Sequence, residues 1–143
     1  MHDSIAIAAD HAGFVLKEKL KAYIKNKLNL SCFDFGTNSE APVDYPDFIS
    51  RVANAVNKGK YKKGIVICGS GIGACIVANR YPNVRCALGY NKKIAVLSRL
   101  HNDANVLAYG GRFMSFRKAK KILKVWLCTQ FSGEKRHKIR LSK

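Results

Sequence analysis

The chain alternates short, continuous apolar runs with longer stretches whose apolar residues recur every three or four positions. The short runs cover Ile5–Ala9, 31–35, Gly64–Cys68, 85–89 and 105–108. Runs this short and this continuous suit strands covered on both faces, as in a parallel sheet. From 14 to 28, Leu16, Leu20, Tyr23, Ile24 and Leu28 share one helical face, with lysines opposite. From 115 to 130, Phe116, Ala119, Ile122, Leu123, Trp126 and Leu127 repeat that pattern, and Ser115 is placed to cap the helix start. Pro46 suits the first turn of a further helix.

A βαβαβαβαβα alternation predicts an α/β fold: a three-layer, doubly wound, Rossmann-like domain on a five-stranded parallel sheet. We expect one domain over residues 1–143, closed by a basic tail at 133–143. No internal repeat or low-complexity segment interrupts it.

Composition adds little to this and excludes some classes. The hydrophobic share is 48% and the charged share 24%, ordinary for a globular chain. The longest uncharged stretch, 64–79, is too short and too rich in glycine to span a membrane. The apolar start at Ile5–Ala9 is too short for a secretory signal, so we expect a cytoplasmic protein with no membrane partner. Cysteines stand at 32, 68, 75, 86 and 128, with no CxxC pair and no zinc-ligand spacing. Most fall in apolar stretches, which predicts reduced, buried thiols.

The net charge of +17 raises the question of a polyanion partner. Lys58, Lys60, Lys62 and Lys63, then Lys118, Lys120, Lys121 and Lys124, fall on expected helix surfaces or connections. No helix-turn-helix, RNA-binding aromatic motif or zinc finger accompanies them. We therefore expect no nucleic-acid partner.

In a doubly wound sheet, ligands bind beyond the carboxyl ends of the strands. Those ends carry Asp10-His11, Gly36-Thr37, the loop after Cys68, and Gly110-Gly111-Arg112. The loop Cys68-Gly69-Ser70-Gly71-Ile72-Gly73-Ala74 follows a buried strand and opens a helix. Its glycines leave backbone amides free to face an anion. Gly69, Gly71 and Ala74 fit a dinucleotide fingerprint, but no acidic residue ends the next strand. A P-loop fails, because no Gly-Lys-Ser/Thr closes the segment. The remaining reading centres on Cys68. A thiol facing a helix N-terminus is placed for thiolate chemistry, and the loop amides for holding an oxyanion. Proton abstraction next to a carbonyl and covalent thiol catalysis both fit, as does a plain core cysteine.

Further candidates lie outside the loop. His2 is terminal. His11 follows Asp10 at the first strand's end, and His101 ends the fourth helix before the polar cluster Asn102, Asp103 and Asn105. His101 fits either a helix C-terminal cap or an acid–base role. Arg112 follows a Gly-Gly turn. Arg136 and Arg140 fall on one helical face of the tail, where two guanidiniums suit either a phosphate or plain solvation.

Together these segments resemble the B type of ribose-5-phosphate isomerase and its galactose-6-phosphate isomerase relatives. The landmarks are Asp10-His11-Ala12-Gly13-Phe14-Val15-Leu16-Lys17, Asp44-Tyr45-Pro46, Cys68-Gly69-Ser70-Gly71-Ile72-Gly73, Ser98-Arg99-Leu100-His101-Asn102-Asp103-Ala104-Asn105-Val106-Leu107 and Gly110-Gly111-Arg112. They cover nearly the whole chain in order. The resemblance implies interconversion of ribose 5-phosphate and ribulose 5-phosphate through a cis-enediolate, with no cofactor and no metal. It implies Cys68 as the base and Ser70, where the family usually has threonine, as a hydroxyl at the reacting oxygens. The amides of Gly69, Gly71, Ile72 and Gly73 match the anion hole. His101 matches the ring-opening acid–base, and Asp10 a sugar-hydroxyl contact. His11, Asn102, Arg112, Arg136 and Arg140 match substrate and phosphate contacts. Members lacking the cysteine use a glutamate just after the glycine loop. Ala74 stands there in this chain, which leaves Cys68 as the base. The family works as homodimers, often paired into tetramers, with sites shared between subunits. A six-carbon phosphosugar isomerase is the nearest alternative. A basic nucleic-acid-binding module and a nicotinamide oxidoreductase are the alternatives from other classes.

Overall fold

A computed structural model describes residues 4–143. His2 lies outside the described residues. Five strands form one sheet: β1 (Ile5–Ala9), β2 (Cys32–Asp34), β3 (Gly64–Cys68), β4 (Cys86–Leu88) and β5 (Val106–Gly110). Their order is β2-β1-β3-β5-β4, and every neighbouring pair is parallel. Each residue of β1, β3 and β5 is buried, as their unbroken apolar sequences require. The edge strands β2 and β4 are three residues each and only partly buried.

Helices cover both faces. On one side α2 (Tyr45–Asn57) and α3 (Ile72–Ala78) enclose Ala6, Ala8, Val66, Cys68, Val106 and Ala108. On the other, α1 (Phe14–Lys27), α4 (Lys92–Asn102) and α5 (Phe116–Cys128) enclose Ile5, Ile7, Ile65, Ile67, Leu107 and Tyr109. The split follows the period-two alternation of strand side chains. Helix starts use the expected residues. Ser115 Oγ accepts the Lys118 amide at 3.2 Å, and Pro46 sits in the first turn of α2.

Two expectations need correction, on the lysines and the cysteines, and the helical reading of the tail gains a partner element. The lysines of α1 do not all face solvent: Lys17 is fully buried, its ammonium 2.5 Å from Asp34 on β2. A helical wheel cannot register a carboxylate from another element. The basic tail is ordered as a sixth helix, α6 (Lys135–Ser142), held against α4. The cysteines are less buried than their apolar neighbours suggested. Cys68 is buried, Cys32, Cys75 and Cys86 are partly buried, and Cys128 is exposed. Cys32 and Cys86 lie on short edge strands, Cys75 on the short helix α3 and Cys128 at the end of α5, which leaves apolar sequence near the surface.

Candidate active site

Cys68 is the last residue of β3, buried, with its side chain on the α2–α3 side. The chain then turns sharply. Gly71, at φ +82°, caps α3 in the left-handed region, and its amide donates to Cys68 Sγ at 3.2 Å. A methyl on Gly71 would meet the Tyr109 carbonyl carbon at 2.8 Å, so glycine is demanded by both conformation and space. The turn aims a backbone N–H at the sulfur, an arrangement that favours a thiolate.

The first helical hydrogen bond of α3 runs from the Cys75 amide to the Gly71 carbonyl, at 3.0 Å. The Ile72, Gly73 and Ala74 amides precede it and are the orphan donors of the helix start. Ser70 Oγ takes the Ile72 amide at 3.2 Å. That leaves the Gly73 and Ala74 amides as the helix-start donors for an anion.

Loops at the same end of the sheet surround this turn. Asp10 is buried, and its Oδ1 accepts the Gly13 amide at 3.0 Å, which closes the β1–α1 turn. His11 Nδ1 accepts the Val43 amide at 3.1 Å, so the loop before α2 orients its ring. The Gly111 amide donates to the Cys68 carbonyl at 2.7 Å, and the Arg112 amide to the Gly69 carbonyl at 3.0 Å. These bonds lay the exposed Arg112 side chain over Gly69, where a methyl would stand 3.1 Å from a guanidinium nitrogen. Sequence reasoning missed Tyr45 as part of this wall. Its ring lies where a methyl on Gly73 would come within 2.6 Å. The signal was the Asp44-Tyr45-Pro46 landmark, facing a glycine that only a close neighbour explains.

The remaining candidates are elsewhere. Within β3 and β5, Gly64 pairs with Val106 and Cys68 with Gly110. His101 precedes Val106, so it sits at the opposite end of the sheet from Cys68. Four strand steps, about 13 Å, separate those ends. Asn102, the exposed last residue of α4, stands beside it. The His101 ring stacks on buried His137 of α6, with centroids 4.3 Å apart. Burial, then the charges of His101, Arg136 and Arg140, lower the pKa of His137. Arg136 and Arg140 are exposed on the same helix, and Arg136 pairs with Glu134 at 2.9 Å.

The polar cluster after His101 is largely structural. Asp103 ends α4 at φ +46° and binds Arg99 at 2.8 Å and Arg85 at 3.1 Å. Asn105 Oδ1 accepts the Arg85 amide at 2.8 Å. One chain therefore carries two half-constellations. Asp10, His11, Cys68, Gly69, Ser70, Gly71, Ile72, Gly73 and Arg112 gather at one end. His101, Asn102, Arg136 and Arg140 gather at the other.

Known proteins match this chain in sequence and fold over nearly its full length. Ribose-5-phosphate isomerase B of Escherichia coli is 41% identical over 129 residues, 90% of this chain and 86% of that one. A structure of Clostridium thermocellum ribose-5-phosphate isomerase B superposes with a TM-score of 0.94 at 43% identity, covering 97% of this chain and 93% of that one. The Mycoplasma genitalium ribose-5-phosphate isomerase B structure, solved with bound ribulose-5-phosphate, gives 0.91 at 39% identity, covering 97% and 91%. Among the described residues no helix is long and apolar enough to cross a membrane. The model of the family described as Ribose/Galactose Isomerase matches residues 5–143, and this chain, with its thiol at a strand end beneath a glycine turn, belongs to that family.

Proposed function

We propose that this chain interconverts ribose 5-phosphate and ribulose 5-phosphate, with Cys68 as the base that carries the proton between C2 and C1. The observation that carries this reading is the Gly71 amide 3.2 Å from Cys68 Sγ, under an Arg112 side chain that overhangs the same loop. A base and backbone amides stand within one turn of chain, and a charged donor is laid over that turn from the end of β5. The relatives' names supply the substrate.

The steps follow from the groups. His101 opens the furanose by moving a proton between the anomeric hydroxyl and the ring oxygen. The Cys68 thiolate removes the C2 proton, and the electron pair moves onto the carbonyl oxygen as an enediolate. The Ser70 hydroxyl and the amides left over at the helix start, Gly73 and Ala74, meet that charge, while the Gly71 amide holds the sulfur and the Ile72 amide holds Ser70. Cys68 returns the proton at C1 as the C2 hydroxyl proton passes to O1, a transfer the Ser70 hydroxyl can relay. C1 is reduced and C2 oxidised within one molecule, so the balance calls for no external redox partner. Arg112, Arg136, Arg140 and His11 hold the phosphate, whose binding energy orients the sugar. Asp10 and Asn102 take sugar hydroxyls.

This scheme needs His101 beside Cys68, yet a sheet's length divides them within one chain. A second copy that presents its α4–α6 end to the Cys68 end of the first resolves the distance. We therefore read the working unit as a homodimer, or a tetramer of such pairs, acting in the cytoplasm. Cys68→Ala and His101→Asn chains, each inactive alone, should regain part of the activity once subunits exchange. An assay of ribulose 5-phosphate formation, run beside allose 6-phosphate and galactose 6-phosphate, tests the substrate. No turnover of ribose 5-phosphate, or faster turnover of a six-carbon sugar, would overturn the assignment. Absence of complementation, with exchange verified by mass spectrometry, would overturn the shared site.

A further inference from the structure

Two cysteines outside the site form a pair. Cys75 lies on α3, and Cys86 is the first residue of edge strand β4. The Cys75 thiol donates to the Cys86 carbonyl at 3.5 Å. Asn79, one turn further along α3, ties the two together. Its Nδ2 donates to the same carbonyl at 3.0 Å and lies 3.5 Å from Cys75 Sγ, while its Oδ1 accepts the Cys86 amide at 2.8 Å. Asn79 thus clamps the Cys86 backbone against the helix that carries Cys75, and both thiols are free. Strand β4 has a neighbour, β5, on one side only, so the pair sits at the sheet's open edge.

We propose that Cys75 and Cys86 are a peroxide-responsive dithiol whose oxidation to a disulfide tethers α3 to β4 and slows isomerisation. Cys75 and Cys86 pack on the same side of the sheet, with the Cys75 thiol against the Cys86 backbone. That contact lowers the pKa of Cys75 to about 7 against the opposing effect of burial, and it raises that of the deeper Cys86. Cys75 is then the attacking thiolate and Cys86 the resolving thiol. In the first step the Cys75 thiolate attacks one oxygen of hydrogen peroxide. The O–O bond breaks, hydroxide leaves, and Cys75 becomes a sulfenic acid. In the second step the Cys86 sulfur attacks Cys75 Sγ, the S–O bond breaks, and the oxygen leaves as water. Two thiols are oxidised by two electrons, and one peroxide is reduced to two waters. A dithiol reductant reverses the change by exchange.

The link to the site is short. The Cys75 amide donates to the carbonyl of Gly71, the residue whose own amide holds Cys68 Sγ. A tether that draws Cys75 toward β4 moves this turn, and small displacements of catalytic groups are costly. The effect on rate rests on the isomerase reading, whereas the disulfide itself does not.

The test uses the full chain, reduced, then treated with hydrogen peroxide, alkylated and digested with trypsin. Residues 64–80 and 86–92 should appear as one linked species, two hydrogens lighter than their sum. Fragmentation must place the bond at Cys75, because Cys68 lies in the same peptide. Isomerase activity should fall on the order of 10- to 100-fold and return with dithiothreitol. Cys75→Ser and Cys86→Ser should keep the untreated activity and lose the reversible inhibition. Separate alkylation of Cys75 and Cys86 after peroxide, or a bond at Cys68, would overturn the dithiol. A linked pair with unchanged turnover, or equal reversible loss in both serine variants, would overturn the switch. Failure to turn over ribose 5-phosphate, with the bond formed, would instead count against the isomerase assignment.

Discussion

The ring of His101 stacks on that of His137, 4.3 Å between centroids and 18° from parallel. The two rings come from α4 and α6, so the basic tail is anchored through the histidine assigned to ring opening. The Arg99 side chain binds Asp103 and the Thr129 carbonyl, and the Ser132 amide donates to Leu100, which fixes the end of α4 beneath the stack. His137 is therefore a positioning residue for His101. His137→Ala should slow turnover of cyclic ribose 5-phosphate more than proton exchange into an open-chain ketose, whereas His137→Phe should restore much of the loss. Equal losses in both assays would limit His137 to a structural role.

The same pair sets a pH dependence. Burial and neighbouring cations keep the native pKa of His137 below its ordinary value. The unfolded chain then takes up this proton first as pH falls through about 6.5, so native stability should decline on acidification. Melting temperatures measured from pH 7.5 down to 5.5 should drop less for His137→Phe, which keeps a stacked ring but cannot titrate.

Cys68→Ala should lower kcat by roughly 10²–10⁴-fold, the usual contribution of a positioned general base. The side chain is small and its backbone bonds to Gly111 remain, so circular dichroism and melting should change little. Near-normal turnover would remove Cys68 from the chemistry.

Arg136→Ala and Arg140→Ala should act mainly on KM. Each removes a charge-assisted contact worth about 1.5–3 kcal/mol, a rise on the order of 10- to 150-fold. Both side chains are exposed, so stability should hold. Unchanged KM for ribose 5-phosphate in a folded double variant would refute the phosphate role.

Asp34 supports the buried Lys17 at 2.5 Å and Lys21 at 2.6 Å. Burial alone would raise its pKa, but the hydrogen bonds from both lysines and from the Gly36 amide prevail and lower it. The stabilisation is complete above the ordinary aspartate range near pH 4 and lost as pH falls through the lower native value. Asp34→Asn leaves the Lys17 ammonium buried without its nearest countercharge. It should cost about 3 kcal/mol at pH 7, read by urea unfolding, and flatten the acid limb of the stability curve.

Much of this protein was legible from local pattern. Continuous apolar runs marked β1, β3 and β5, because a strand covered on both faces has no polar position to spare. Ser115 and Pro46 marked helix starts, because capping is a property of neighbouring residues. The glycine turn after Cys68 was readable too, since only glycine takes the conformation and the close approach that Gly71 requires. What no linear reading supplied was distance between elements. The burial of Lys17 came from a carboxylate on β2, the ordering of the tail from one histidine finding another, and the Cys75–Cys86 contact from a helix crossing an edge strand. Tertiary structure alone also decided that His101 and Cys68 lie at opposite ends of one sheet. Strand direction and register set that separation, and they depend on pairings between segments far apart in the chain.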